Sequence, residues 1–255
     1  MKFKLFLLVI LFIGGLTIAG YFLPNPVRSF FISPMQSITL TTPDGVILAG
    51  NYLASREPKG AVLLLHMMPA TKESWEPLQQ ALEKVHISSL AIDLRGHRQS
   101  TKGPADIILD YNTFTDREHQ LTRNDVTTSI EYLVSQGFTK NKIVISGASI
   151  GANLAIQELS QDPEINSAIL LSPGLDYHGI ETEQYARSLA DVQALFTIAS
   201  RDDGYSFDSS RRLYDVATIK KDIGEYDDIG HGTTMLENKP ELIDTLVAWI
   251  VERMQ

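Results

Sequence analysis

The amino-acid sequence predicts an α/β fold: a mostly parallel, doubly wound sheet of about eight strands with helices on both faces. Three observations lead to this prediction. Strand-like runs alternate with helix-like segments along most of the 255 residues. The central strand-like runs are continuously apolar, as in strands buried on both faces. The first two runs are separated by a short turn, so they can form a leading hairpin.

Eight segments carry strand patterns. The first two, residues 37–42 and 46–54, are joined by Pro43-Asp44-Gly45, whose residue types favour a tight turn. The others are rich in apolar and β-branched residues between turn signals and cover residues 61–66, 87–94, 143–146, 167–172, 194–199 and 220–226. Only about twenty residues separate the sixth and seventh segments, which leaves room for one crossover and excludes a large lid there.

Five segments repeat apolar residues every three or four positions, the period of a helix that buries one side. They lie between the strand segments, as crossovers of a parallel sheet require, and cover residues 73–85, 117–136, 150–159, 207–216 and 241–254. The length and the 44% hydrophobic content are sufficient for one sizeable core. We therefore expect a single folded domain over residues 37–255.

The first residues differ from this domain. Lys2 and Lys4 precede a long uncharged apolar run, which is typical of a signal peptide and about as long as a minimal membrane-spanning helix of roughly 17–25 residues. We expect a signal peptide or an uncleaved signal-anchor helix over residues 1–23, and a linker over 24–36. By the positive-inside rule the domain is exported. It would be anchored to the membrane, or secreted or periplasmic if the segment is cleaved.

Charge and composition exclude several functions. The formal net charge is -9 and no block of lysine and arginine is present, so a nucleic-acid partner is not expected. The chain has no cysteine, which excludes disulfides, thiol catalysis and cysteine-based metal sites.

The sequence Gly147-Ala-Ser149-Ile-Gly151 lies where the strand segment 143–146 meets the helical segment 150–159. A Gly-x-Ser-x-Gly turn in this context holds the serine in a strained conformation and displays its hydroxyl above the edge of the sheet. Side chains at either glycine would collide with neighbouring backbone. The helix that follows offers free N–H groups to an anion formed beside the serine. The alternative is a glycine-rich loop in which Ser149 only caps the helix.

Several motifs together resemble the α/β-hydrolase family, and the resemblance covers most of the chain from about residue 37. The motifs are GASIG at 147–151, LLLHMMPATKESW at 63–75, DLRGHRQS at 93–100, ASRDD at 199–203 and HGTTML at 231–236. They follow the family's order of nucleophile, acid and histidine. DLRGHRQS is similar to a loop of the monoacylglycerol-lipase and serine-aminopeptidase-like branch, except that Arg98 replaces a glycine. The resemblance implies a lidless serine esterase.

The resemblance implies a catalytic triad, because a serine needs a base and the base needs an orienting carboxylate. Ser149 would be the nucleophile. His231 would be the base, since it lies between two glycines after a strand and before the last helix. Asp203 is in register with the family's acid, while Asp202 beside it and Asp176 after the preceding strand are alternatives.

The family also supplies two backbone N–H donors to the developing oxyanion, and here they would come from Ile150 and Met67. Met67 stands where the family usually has glycine, so its side chain is expected to narrow or line the acyl pocket. His66 is interpreted as structural support for that loop. The polar residues of the DLRGHRQS motif are interpreted as local scaffolding: Asp93, Arg95 and His97.

These expectations combine into a serine hydrolase of carboxylic esters that forms an acyl-enzyme on Ser149. The substrate would be a small acyl compound in an open pocket. No metal and no organic cofactor are implied, and membrane contact is expected only through an uncleaved N-terminal segment. The alternatives are a peptidase or thioesterase with the same triad, a catalytically silent binding protein with this fold, and a membrane-tethered interaction domain. No oligomeric state is predicted.

Overall fold

The computed structural model describes residues 34–255, so the expected segment 1–23 and nearly all of the linker 24–36 lie outside the described residues. The strands are β1 (Gln36–Thr41), β2 (Ile47–Leu53), β3 (Ala61–Leu65), β4 (Ser88–Ile92), β5 (Ile143–Ala148), β6 (Ser167–Leu171), β7 (Asp176–Tyr177), β8 (Ile180–Glu181), β9 (Ala194–Ser200) and β10 (Lys220–Tyr226). The α-helices are α1 (Glu76–Lys84), α2 (Asp116–Gln120), α3 (Arg123–Ser135), α4 (Ile150–Gln161), α5 (Thr182–Ser188), α6 (Gly204–Val216), α7 (Thr234–Asn238) and α8 (Glu241–Arg253). None of these helices is long and apolar enough to cross a membrane.

Eight of the strands form one sheet in the order β1-β2-β4-β3-β5-β6-β9-β10. β2 is antiparallel to both of its neighbours, and every pair from β4 to β10 is parallel. This confirms the predicted fold class, including the leading hairpin. Because β3, β5, β6, β9 and β10 are parallel, their carboxyl ends lie along one edge of the sheet. Ligands bind at this edge in open α/β sheets.

Two apolar cores cover the faces of the sheet, and alternate residues of the central strands belong to different cores. In β3, Leu63 and Leu65 face the core that contains residues of α3, α4 and α6. Val62 and Leu64 face the core that contains residues of α1, α7 and α8. All four side chains are fully buried. A buried leucine contributes about 1.5–3 kcal/mol to folding, so each core holds its helices firmly on the sheet.

The helical pattern over 117–136 is one helix in the prediction but two in the structure. α2 begins after Thr115, whose hydroxyl accepts from the backbone N–H of Glu118 in a capping box. It ends where the N–H of Thr122 bonds to the carbonyl of His119, a tighter turn than an α-helix makes. The prediction also omitted the β7–β8 hairpin and the short helices α5 and α7. Each is too short to produce a clear periodic pattern.

The DLRGHRQS motif is scaffolding, as the sequence analysis expected. Asp93 is fully buried and accepts from the ammonium of Lys72 at 2.8 Å. The guanidinium of Arg95 lies between two carboxylates, at 2.7 Å from Asp125 and 2.7 Å from Asp44. These ion pairs join the loop after β4 to α3 and to the β1–β2 turn.

The ion pairs of Arg95 predict that removing its two partners lowers the free energy of unfolding by unequal amounts. Asp125 is fully buried, so Asp125→Ala leaves a buried guanidinium short of a counterion, at a cost of about 3–5 kcal/mol. The Asp44 side chain is 34% exposed, so Asp44→Ala should cost about 1 kcal/mol or less. Urea unfolding of both variants measures the difference. Equal costs would contradict this account of the loop.

Candidate active site

Ser149 occupies the turn between β5 and α4 in a backbone conformation that is rare for a residue with a side chain, with φ 54° and ψ -120°. Three backbone hydrogen bonds hold it there. Its N–H donates to the carbonyl of Leu171 at 2.8 Å, and its own carbonyl accepts from Ala152 and Asn153. The side chain is half-buried at the carboxyl edge of the sheet.

Both glycines of the turn are required by close backbone contacts, as the sequence predicted. A Cβ on Gly147 would lie 2.0 Å from the carbonyl oxygen of Gly151. A Cβ on Gly151 would lie 2.4 Å from the carbonyl oxygen of Leu65, at the end of β3. The start of α4 therefore touches the ends of β3 and β5.

Asp203 and His231 are brought together by the ends of β9 and β10. The Nδ1 of His231 lies 2.6 Å from the Oδ2 of Asp203. Burial alone would raise the pKa of Asp203. Hydrogen bonds and charge from His231, with hydrogen bonds from Ser206 and Ser172, outweigh burial and hold that pKa below its usual value. Asp203 is therefore a carboxylate at neutral pH and an acceptor for the imidazole N–H.

The two alternative acids occupy other places. A carboxylate oxygen of Asp202 accepts from the backbone N–H of Gly230 at 3.1 Å, so it braces the loop that carries His231 without bonding to the imidazole. Asp176 accepts from the N–H of Gly179 at 2.8 Å, within the β7–β8 hairpin. Of the three carboxylates, only Asp203 bonds to His231.

Ser172 directly follows β6 and lies between the Ser149 turn and the loop that carries His231. Its hydroxyl accepts from the N–H of Gly232 at 2.9 Å and contributes to lowering the pKa of Asp203. The residue is fully buried and has a positive φ of 50°, a strained conformation for serine. Because Ser172 directly follows the carbonyl that binds Ser149, the serine and the His231 loop share a neighbour. The sequence analysis did not identify Ser172.

Tyr177 is a second residue that sequence reasoning missed. Among the described residues, no hydrogen bond joins the hydroxyl of Ser149 to His231. The phenol of Tyr177 instead lies beside Ser149 and 3.0 Å from the hydroxyl of Ser206. Burial raises the pKa of this phenol, so it is protonated at neutral pH. A Cβ on Gly174 would lie 2.6 Å from the tyrosine ring, so this glycine makes room for the tyrosine.

The two predicted oxyanion donors lie on neighbouring segments. Ile150 is the first residue of α4, where helical N–H groups have no intrahelical partner. Met67 follows β3, whose end contacts the start of α4. The Met67 side chain lies against Gly232, since a Cβ there would be 2.5 Å from its sulfur. The expectation that Met67 narrows or lines the acyl pocket stays a prediction; of the two methionines, only Met68 lines the cleft described below.

His66 is structural, as expected. Its Nε2 accepts from the backbone N–H of Leu94 at 3.0 Å, so its Nδ1 carries the proton and donates to the carbonyl of Met67 at 2.8 Å. Burial, and then the neighbouring His97, lower the pKa of His66 to about 3. The imidazole is therefore neutral and fixes the loop that bears the Met67 N–H.

A cleft of about 210 Å³ is lined by Met68 and His178, which directly follow Met67 and Tyr177 in the chain. Its other lining residues are Tyr111, Asn112, Phe114 and His119. A second cleft of about 270 Å³ lies between α6 and β10, and the lining of neither cleft includes Ser149, Asp203 or His231. Within residues 34–255, no three histidine or carboxylate side chains are placed to hold a metal ion.

Comparisons with known proteins identify the family and the fold. The family model described as alpha/beta hydrolase fold matches residues 60–203. A search of curated proteins finds no match. Among solved structures, an esterase of Pyrococcus furiosus superposes with a TM-score of 0.67 at 19% identity, covering 87% of this chain and 91% of that one.

Two further structures resemble the chain as closely. The esterase domain of a Rhodothermus marinus protein gives a TM-score of 0.68 at 13% identity, over 87% of this chain and 100% of that one. A dienelactone hydrolase of Anabaena variabilis gives 0.64 at 14% identity, over 86% and 95%. At these identities the likeness concerns the fold.

The contact between α4 and β3 predicts a large stability difference between two glycine-to-alanine changes. Gly151→Ala forces a Cβ into backbone that cannot move without displacing β3, and should cost about 3 kcal/mol or more. Gly204→Ala is the matched control, because a Cβ there meets nothing within 4 Å. It should be neutral or slightly stabilising. Thermal unfolding measures both, and a Gly151→Ala protein as stable as the control would contradict the close approach.

Proposed function

Since the chain belongs to the α/β-hydrolase family and is a hydrolase of that fold, we propose that it cleaves carboxylic esters through an acyl-enzyme on Ser149. The observation that carries the proposal is the 2.6 Å contact between Asp203 and His231 beside a strained serine at the start of a helix. A nucleophile, an oriented base and free N–H donors are the groups that acyl transfer requires.

The proposed reaction begins with proton transfer. Because Nδ1 of His231 is directed at Asp203, its Nε2 is the nitrogen that takes the proton of Ser149. For this transfer the hydroxyl of Ser149 would donate a hydrogen bond to Nε2 of His231. The serine oxygen then attacks the ester carbonyl, and the carboxylate of Asp203 stabilises the imidazolium that forms.

The N–H groups of Ile150 and Met67 would receive the oxyanion of the tetrahedral intermediate. A donor of this kind contributes about 2.7–4 kcal/mol to the transition state. The imidazolium then protonates the departing alcohol, and the acyl group remains on Ser149. Water, deprotonated by His231, releases the acid and restores the serine.

We propose esters as the substrate class, ahead of peptides and thioesters, because two of the similar structures are described as esterases and another as a dienelactone hydrolase. A small open cleft suits a small-molecule substrate. We also propose export of the enzyme, on the basis of the apolar segment 1–23, with membrane attachment if that segment is retained.

The proposal predicts a sharp difference between adjacent carboxylates. Ser149→Ala should abolish hydrolysis of p-nitrophenyl butyrate above the background rate. Asp203→Asn should lower kcat by about 10³–10⁴, because the imidazole loses its orienting acceptor. Asp202→Asn is the matched control, since an amide oxygen can still accept from Gly230. It should change kcat by less than about five-fold.

Steady-state kinetics on the purified full chain and on residues 34–255 measure these changes in kcat. Thermal unfolding of each variant verifies that it is folded. Turnover retained in Ser149→Ala, or a larger loss in Asp202→Asn than in Asp203→Asn, would contradict the assignment. Hydrolysis of peptides or thioesters in preference to esters, still dependent on Ser149, would keep the triad and change the substrate class.

A further inference from the structure

The cleft lined by Met68 and His178, the residues that follow Met67 and Tyr177, is bordered mainly by aromatic rings. On one side the ring of His97 stacks on Tyr111, with centroids 3.9 Å apart and planes 9° apart. On the other side His119 stacks on His178 at 3.8 Å. Phe114 meets His119 edge-on at 5.4 Å, which connects the two sides.

These rings are fixed by packing behind them. His119 and His97 are each 4% exposed. The ring of His66, held by its two backbone hydrogen bonds, contacts His97 edge-on at 4.8 Å. The wall that carries Tyr111 therefore rests on the loop that bears the Met67 N–H, which ties the shape of the cleft to the proposed oxyanion site.

The cleft carries little charge. None of its lining side chains is a carboxylate, an ammonium or a guanidinium. Burial, and then the nearby His178 and His97, lower the pKa of His119 to about 4, so this imidazole is neutral at pH 7. Two carboxylates lie next to the lining residues: Asp110 accepts from the side-chain amide of Asn112 at 2.9 Å, and Asp116 approaches His178 at 3.3 Å. Since no lysine or arginine lines the cleft, an anionic substrate would be repelled there.

Size narrows the choice of ligand further. A cavity of about 150 Å³ lined by apolar side chains binds benzene. At about 210 Å³, this cleft has room for one ring with a small substituent. Rings prefer edge-on and offset contacts with other rings, and the thioether of Met68 is also a favourable neighbour for an aromatic edge.

We propose that this cleft binds an uncharged aromatic ring of the substrate, so that small aryl-substituted esters are the preferred class. The proposal rests on the ester hydrolysis proposed above and deepens it. The ring could be attached to the acyl side or to the alcohol side of the ester, since both extend from the carbonyl held at Ser149. The shared chemistry is an uncharged ring one or two bonds from the ester group.

Two matched pairs of esters test the proposal. Ethyl phenylacetate and ethyl cyclohexylacetate place the ring on the acyl side, while benzyl acetate and cyclohexylmethyl acetate place it on the alcohol side. Within each pair the ring size is similar and only the aromaticity changes. We expect kcat/KM to favour the aryl member of one pair by about ten-fold, which corresponds to about 1.4 kcal/mol. A preference below two-fold in both pairs would overturn the proposal.

Variants of cleft residues test whether the preference for aryl esters arises in this cleft. Phe114→Leu keeps an apolar side chain but removes the ring, and should reduce the aryl preference to about two-fold or less. His178→Asn is a second variant, chosen because asparagine tolerates the positive φ of 54° at that position. Tyr214→Leu, in the cleft between α6 and β10, is the control and should keep the wild-type preference. An unchanged preference in both cleft variants would also overturn the proposal.

Ethyl butyrate, which has no ring, separates this proposal from the proposed function. Hydrolysis of ethyl butyrate that depends on Ser149, without any aryl preference, overturns only the assignment of the cleft. Absence of ester hydrolysis altogether overturns both. Thermal unfolding of Phe114→Leu near the wild-type midpoint verifies that this variant is folded.

Discussion

The close approach of α4 to the ends of β3 and β5 is the contact on which the site depends. Gly147 and Gly151 permit it, since a Cβ at either would lie within 2.4 Å of a backbone carbonyl oxygen. The approach forces Ser149 into its strained conformation and brings the first N–H groups of the helix beside the loop after β3. The nucleophile and both proposed oxyanion donors thus come from one backbone contact.

The remaining groups reach the same edge because the parallel strands end there. β9 supplies Asp203, β10 leads to His231, and β6 leads to Ser172. Ser172 is buried and strained, and its hydroxyl accepts from Gly232, so it holds the loop of His231 at the end of β6. The strained backbone conformations of Ser149 and Ser172 persist because the packed sheet around them prevents relaxation to a more favourable conformation.

Local sequence predicted the parts of this site that depend on residue type, and missed those that depend on tertiary contact. Gly-x-Ser-x-Gly between a strand and a helix indicated Ser149, and the glycines and flanking elements of His231 indicated a base, which the structure places at Asp203. The strand and helix segments were found because continuous apolar runs and regular periods are strong signals. Ser172 and Tyr177 gave no such signal, since a serine after a strand and a tyrosine in a two-residue strand are common. The sequence shows that Met67 follows the strand 61–66, but the direction of its side chain depends on packing against Gly232, which the sequence does not reveal.

Covalent trapping of the nucleophile tests the central claim most directly. A fluorophosphonate should add one phosphonyl group per chain, and peptide mass spectrometry should locate it on Ser149. The account further predicts that Asp203→Asn slows this labelling by a large factor, because the imidazole no longer activates the serine. Labelling of another residue, or no labelling of a folded protein, would contradict the account.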